Sequence, residues 1–306
     1  MDFDILNSAV RIATPLIFAA MGGVVTYQAG MLNIALDGFM IVAAFTAIAT
    51  AYLTGSLTIA LIGAIVASVL LAALMAVFNI RLRANIFIAG TAIIFLGNSL
   101  TALLLKGVLG QDGVFTSDRI PNFPVIRVPV VDGIPVLGAL LSGHTILVYV
   151  AYLSVPLVAW SLYRTRWGLR LRVVGEAPEA AAAVGIDVDK IKFQAMLISG
   201  LFCGFAGAYL SLAYVTLFAR EMTAERGLIA LAAIFFARGN PYRTALVAVL
   251  FGGATALSVR LPQVTGLAPQ LLQLIPYVVT VLALVIVGWR TTRARNRYGA
   301  WRFDLG

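Results

Sequence analysis

Long apolar runs separated by short charged segments dominate the chain. Residues without a charged side chain cover 12–36, 38–80, 84–105, 133–163, 193–219 and 261–289. A helix needs about 20 mostly apolar residues to cross the hydrocarbon core of a bilayer. Each run can therefore hold one crossing, and 38–80 can hold two. The pattern predicts an all-α polytopic membrane protein.

Turn residues and charges divide these runs into nine predicted membrane helices. They are expected at about 10–28, 34–53, 57–79, 86–105, 144–163, 193–217, 227–237, 243–259 and 270–289. Polar and glycine residues break the chain between the first two, and Thr54-Gly55-Ser56 starts the third. The seventh helix rises only about 16 Å, half of the hydrocarbon thickness. It is either a half-helix or draws flanking polar residues into a cavity lined by protein.

Basic residues gather in a few of the segments between the apolar runs. The chain carries 22 Lys and Arg against 13 Asp and Glu, a net charge of +9. Loops rich in Lys and Arg stay on the cytoplasmic side of a membrane. With nine crossings, the basic segments 81–83, 164–192, 238–243 and 290–302 all fall on one side, with Arg260 as an exception. The N-terminus is therefore expected outside.

This topology predicts a single transmembrane domain over 1–306 with three extramembrane parts. Residues 106–143 form an external loop, residues 164–192 a cytoplasmic loop, and residues 290–306 a basic cytoplasmic tail that contacts membrane lipids. Nine helices also allow two inverted four-helix repeats around a linking helix, with broken helices at mid-membrane. Ile34-Ala35-Leu36 and Ile229-Ala230-Leu231, each after a polar break, fit such repeats.

The composition argues against catalysis in this chain. All three lysines lie outside the apolar runs and no Gly-x-x-x-x-Gly-Lys-Ser/Thr loop occurs, so any ATP must be used by a partner. A single cysteine, Cys203, and a single histidine, His144, disfavour a metal centre. Asp37 is the only acid within the apolar regions, which leaves no carboxylate pair for acid–base chemistry. We expect no enzyme, no cofactor in this chain and no nucleic-acid partner, because the basic charge reflects topology.

The cytoplasmic loop contains a predicted short helix. Pro178 at its start, Glu179 in the first turn, four alanines and a terminating Gly185 are the signals of a capped helix. A helix of small residues can seat in a groove of another protein. An ordinary loop helix without a partner is the alternative.

Several segments together resemble one family. The loop from Arg164 to Ile186 is similar to the Glu-Ala-Ala loop of bacterial ABC importer permeases, most closely those for simple sugars and nucleosides, a group that includes branched-chain amino acid and ribose-type inner-membrane permeases. Residues 30–40 resemble the family's Gly-Val-Leu-Asn-Ile-Gly-Leu-Glu-Gly-Met-Met signature, with Asp37 in place of glutamate. Residues 198–207 and 226–235 resemble its second-half signature, and residues 134–138 also fit. Glu225 stands where the family often has glycine.

The resemblance implies a permease subunit in the bacterial cytoplasmic (inner) membrane that forms the path for a small polar solute, a nucleoside, nucleobase or simple sugar. It implies four kinds of partner: ABC ATPase subunits that use the ATP, a second homologous permease, an external substrate-binding protein and membrane lipids. The residues expected to couple to the ATPase are Gly175, Glu176, Pro178, Glu179, Ala180, Ala181 and Gly185. A self-contained, ion-driven secondary transporter or channel is the main alternative, and a membrane enzyme is another.

Four residues are candidates for the translocation path: Asn33, Asp37, Asn98 and Arg226. Asn33 and Asp37 are four apart and would share a face of one helix. An acid within the membrane suggests a functional site. For Asp37 we favour a structural role, satisfied by backbone donors or by Arg226, over direct contact with the solute.

Overall fold

The computed structural model describes residues 3–127 and 142–265, and this part is mainly helical. Ten α-helices follow in chain order: α1 (Phe3–Gln28), α2 (Leu36–Thr54), α3 (Leu57–Ala76), α4 (Ile86–Leu109), α5 (Ile146–Arg164), α6 (Arg166–Glu176), α7 (Pro178–Ala183), α8 (Val188–Ala208), α9 (Arg226–Phe236) and α10 (Pro241–Thr265). A π-helical turn extends α3 over Val77–Arg81, and another extends α8 over Tyr209–Tyr214.

Seven of these helices are long and apolar enough to cross a membrane: α1, α2, α3, α4, α5, α8 and α10. The multi-pass, all-helical class is confirmed. Helix α9 has 11 residues and is too short to cross alone. The predicted helix at 270–289, the tail at 290–306 and the segment 134–138 lie outside the described residues. The total of nine helices and the inverted repeats stay predictions.

Helices α1, α2 and α8 form the centre of the bundle. Phe18, Phe39 and Met40 are fully buried there. Glycines on α8 allow close packing: a methyl group added at Gly200 would lie 2.6 Å from the Ala72 Cβ, and one added at Gly204 would lie 2.7 Å from the Ile65 Cα. Small residues at such positions let membrane helices approach closely.

The outer helices α3 and α4 expose many large apolar side chains. Leu70 on α3 is 65% exposed and Ile88 on α4 is 70% exposed. In a water-soluble protein such faces would be a hydrophobic patch, whereas helices of membrane-spanning length can expose them to hydrocarbon.

Two short strand pairs join connections at the helix ends that lie away from the loop 164–192. Strand β1 (Val114–Phe115) pairs with β4 (Phe218–Ala219), and β2 (Val125–Ile126) pairs with β3 (His144–Thr145), both antiparallel. His144, predicted to begin the fifth membrane helix, lies instead in β3, and α5 begins two residues later.

Candidate functional site

The chain is not helical between α1 and α2, and Asn33 lies in this break. Its Nδ2 donates to the Ser199 Oγ at 2.9 Å, and its Oδ1 accepts from the Ala35 backbone N–H at 3.1 Å. The side chain is buried. The prediction that Asn33 and Asp37 share a helix face is wrong, because α2 begins only at Leu36 and the asparagine bonds instead stabilise the turn before it.

Asp37 lies in the first turn of α2 and reaches the start of α9. Its Oδ1 accepts from the Gly227 backbone N–H at 3.0 Å, and its Oδ2 accepts from the Thr223 Oγ1 at 2.9 Å. The carboxylate is therefore near the N-terminal ends of two helices, where unpaired N–H groups and the helix dipoles favour negative charge.

Gly227 makes this contact possible. A methyl group added at Gly227 would lie 2.3 Å from the Asp37 backbone nitrogen and 2.7 Å from its Cβ. No side chain fits between α9 and α2 at this point. The backbone of α9 can approach the carboxylate only because residue 227 has no Cβ.

Arg226 is not the partner of Asp37. Within the described residues no ion pair joins them, and the guanidinium donates through Nη1 to the carbonyl oxygens of Met222 at 2.9 Å and Thr223 at 3.3 Å. These bonds hold the arginine over the chain that leads into α9. The carboxylate is satisfied by a hydroxyl and a backbone amide instead.

A cavity of about 600 Å³ opens between α2, α4 and the segment that leads into α9. Among its lining residues are Asp37, Thr91, Phe95, Asn98, Glu221, Thr223, Glu225 and Leu228. The Asn98 Oδ1 is buried and has no hydrogen-bond partner within the part of the chain that the structure describes. An amide oxygen left unpaired beside a cavity is available to a bound molecule or water.

The structure brings two of the four predicted path residues to this cavity, Asp37 and Asn98, and leaves Asn33 and Arg226 outside its lining. The sequence reasoning missed Glu221 and Glu225, which also line it. For Glu225, the signal in the sequence was its position, where the family often has glycine. Among the described residues, all charged side chains that line the cavity are acidic.

The connection from α8 to α9 is backbone-strained where it meets the cavity. Glu221, Ala224 and Glu225 have φ values of 55°, 46° and 57°. Each such residue with a Cβ costs about 1–2 kcal/mol in the left-handed region. An ion pair between Arg220 Nη2 and Asp112 Oδ1 at 2.5 Å, next to the pairing of β1 with β4, fixes the start of this segment.

The loop 164–192 contains two helices, α6 and α7, of which only α7 was predicted. The Thr165 Oγ1 accepts from the Gly168 backbone N–H at 3.0 Å and caps α6, which buries Leu171 and Val174 against the bundle. Gly185, with φ of +80°, follows α7 as expected for a helix end.

The two faces of α7 differ. Ala181 is fully buried in this chain. The other predicted coupling residues in and beside α7, Glu176, Pro178, Glu179, Ala180 and Gly185, are exposed, as are Ala182, Ala183 and Val184. Ala181 packs its methyl group against this chain and so is not part of the exposed face of α7, and its coupling to an ATPase stays a prediction. Gly175 is half-buried against the end of α1.

Comparison with known proteins agrees with this architecture. The model of the family "Branched-chain amino acid transport system / permease component" matches residues 5–284. A nucleoside ABC transporter permease of Lactococcus lactis is 34% identical over 90% of this chain and 89% of its own length. A guanosine ABC transporter permease of Bacillus subtilis is 32% identical over 92% and 90%. A Haloferax volcanii protein provisionally assigned as a glucose ABC transporter permease is 32% identical over 95% and 93%.

These matches span nearly the whole chain and do not favour an ion-driven secondary transporter, a channel or a membrane enzyme. The seven apolar helices and the broken segment before α2 fit a transport subunit. The chain belongs to the branched-chain amino acid transport system permease family and is a permease subunit of an ABC transporter.

Proposed function

We propose that this permease carries an uncharged nucleoside through the cavity between α2, α4 and α9. The observation that carries the proposal is the lining of this cavity, which combines acceptor groups on Glu221, Glu225 and Asn98 with the ring of Phe95. Carboxylate and amide oxygens can accept from the hydroxyl and amino groups of a nucleoside, and an aromatic ring can stack on a base. The nucleoside and guanosine relatives support this choice.

The acidic lining restricts the charge that a transported solute can have. A cavity with carboxylates and no basic side chain among its lining residues repels anions. Nucleotides and sugar phosphates are therefore excluded, whereas neutral solutes pass. A simple sugar such as glucose is the second candidate, supported by the Haloferax volcanii relative.

The transporter works as an assembly in the cytoplasmic membrane. The exposed face of α7 (Glu179, Ala180, Ala182, Ala183 and Val184) docks on an ABC ATPase, which uses the ATP, and an external binding protein delivers the solute. A second homologous permease completes the path, and lipids surround the remaining apolar faces. The N-terminus lies outside, and the loop 164–192 and the tail 290–306 lie in the cytoplasm.

Cysteine protection tests the path. In a Cys203→Ser background, Asn98→Cys should react with a water-soluble methanethiosulfonate, and guanosine should slow the reaction while guanosine monophosphate does not. Leu96→Cys is the control, because residue 96 is about 200° away around the same helix and 43% exposed on its apolar side. Protection by glucose alone would favour the second candidate. Equal reactivity of both cysteines without protection by either solute would refute the proposed path.

A further inference from the structure

Three segments meet at the C-terminal end of α1. Gly175 near the end of α6 lies against Gln28 and Gly30, and Gly239, just after α9, lies against Tyr27 and Gln28. The first contact belongs to the cytoplasmic loop, and the second belongs to the chain that leaves α9. Residues 27–30 therefore lie between the predicted ATPase-docking loop and α9.

The contact with the loop is made by backbone on both sides. A methyl group added at Gly175 would lie 2.2 Å from the Gln28 carbonyl oxygen and 2.9 Å from the Gly30 nitrogen. A methyl group added at Gly30, where φ is +74°, would lie 3.0 Å from the Gly175 carbonyl oxygen. Two backbones that touch without side chains between them cannot approach further, so a push on α6 moves the end of α1.

The contact with α9 is made by a side chain. The Gln28 Nε2 donates to the Gly239 carbonyl oxygen at 2.9 Å. Glycine is required at 239, where φ is +68° and an added methyl group would lie 2.4 Å from the Tyr27 ring. The bond gives the Gln28 amide a specific partner 211 residues away in the sequence.

Helix α9 is thus held near both ends. Asp37 binds the Gly227 amide at its start, and Gln28 binds the Gly239 carbonyl just beyond its end. Leu228 on α9 and Glu225 just before it line the cavity. A displacement that enters at Gly239 therefore moves a wall of the cavity.

We propose that Gln28 is a positioning residue that transmits movement of the docking loop to α9 and so to the cavity. The route runs from α6 through the contact between Gly175 and Gly30, then through the bond from Gln28 to Gly239, to Leu228. The proposal rests on the proposed docking of an ATPase on α7, and it adds the path by which that docking reaches the solute site.

The test follows the cavity wall directly and needs no solute. Leu228→Cys is introduced in a Cys203→Ser background. Its rate of modification by a methanethiosulfonate depends on the position of the cavity wall. This rate is measured in the assembled complex with and without a non-hydrolysable ATP analogue. We expect the analogue to change this rate about fivefold or more. With Gln28→Met, which keeps the side-chain length but loses the donor, the rate should no longer respond, although the complex still binds and hydrolyses ATP.

Gln194→Met is the matched control. The Gln194 Oε1 accepts from the Trp167 Nε1 of α6, also at 2.9 Å, but this bond does not reach α9. The control should retain the response to the analogue. A preserved response in Gln28→Met, or an equal loss in both variants, would overturn the inference.

Gln28→Lys covers the case in which the methionine variant assembles poorly. Lysine retains a donor toward the Gly239 carbonyl and should restore the response at least in part, whereas no response in a fully assembled lysine variant would count against the inference. If the unsubstituted complex binds no ATPase or its cavity never responds, the proposed function fails. If it responds and Gln28→Met responds equally, only the role of Gln28 fails.

Discussion

The Asp37 carboxylate accepts a hydrogen bond from the Gly227 backbone amide at 3.0 Å, across 190 residues of sequence. This bond joins the start of α2 to the start of α9, the two segments that follow the breaks in the chain. Because the Thr223 hydroxyl donates to the other carboxylate oxygen, both oxygens have partners. One buried acid thus links the first half of the chain to the second half by hydrogen bonds beside the cavity.

A methyl group added at Gly227 should destabilise the contact between α2 and α9. Gly227→Ala places a methyl group 2.3 Å from the Asp37 nitrogen, and overpacking of this kind costs about 1–3 kcal/mol. The thermal midpoint of the purified protein in detergent should fall. Gly253→Ala on α10 is the control, because no described residue lies within 4 Å of its added methyl group and the midpoint should hold or rise. Equal midpoints for the two variants would contradict the close packing.

Asp37 should couple energetically to Thr223 more than to Arg226. Asp37→Ala leaves the Gly227 amide and the Thr223 hydroxyl without an acceptor, which costs about 1–3 kcal/mol for each buried group. In a double-mutant cycle, Thr223→Val should recover part of the loss. Arg226→Gln should recover less, because the arginine bonds backbone carbonyls instead. Unfolding in detergent measures both cycles. A larger coupling with Arg226 would restore the ion-pair interpretation.

The two faces of α7 should respond differently to a large charge. Ala182→Arg points from the exposed face and should abolish recruitment of the ATPase while the thermal midpoint of the isolated permease stays unchanged. Ala181→Arg forces a guanidinium into a fully buried site and should lower the midpoint itself. Co-purification and thermal unfolding separate the two effects. Unchanged recruitment by the Ala182 variant would exclude α7 as the docking helix.

Glu225 should lower the stability of the fold through its strained backbone, while it places a negative charge in the cavity. Glu225→Gly relieves a φ of 57° and should raise the free energy of unfolding by about 1 kcal/mol. Glu225→Gln keeps the strain and removes only the charge, so its stability should remain near that of the parent protein. Both variants should discriminate less between guanosine and its monophosphate in uptake assays. If only the glycine variant changes selectivity, backbone conformation and not charge sets it.

Most of the helices in this protein were predictable from its amino-acid pattern. Apolar runs of membrane length predicted seven helices that the structure describes, because burial in lipid acts on each segment separately. The sequence also predicted the short length of α9 and the position of α7, since helix ends depend on nearby residues. The loop 164–186 and the motifs at 30–40, 198–207 and 226–235 together suggested the permease family.

Which side chains meet depends on how the helices pack. Asp37 contacts Thr223 and Gly227 and not Arg226, Ala181 faces inward, and Gln28 binds Gly239. Local patterns give the face of a helix, but not the neighbour that another part of the chain places there. These contacts arise where glycine removes a side chain and two distant backbones approach, and this complementarity exists only after the helices have packed.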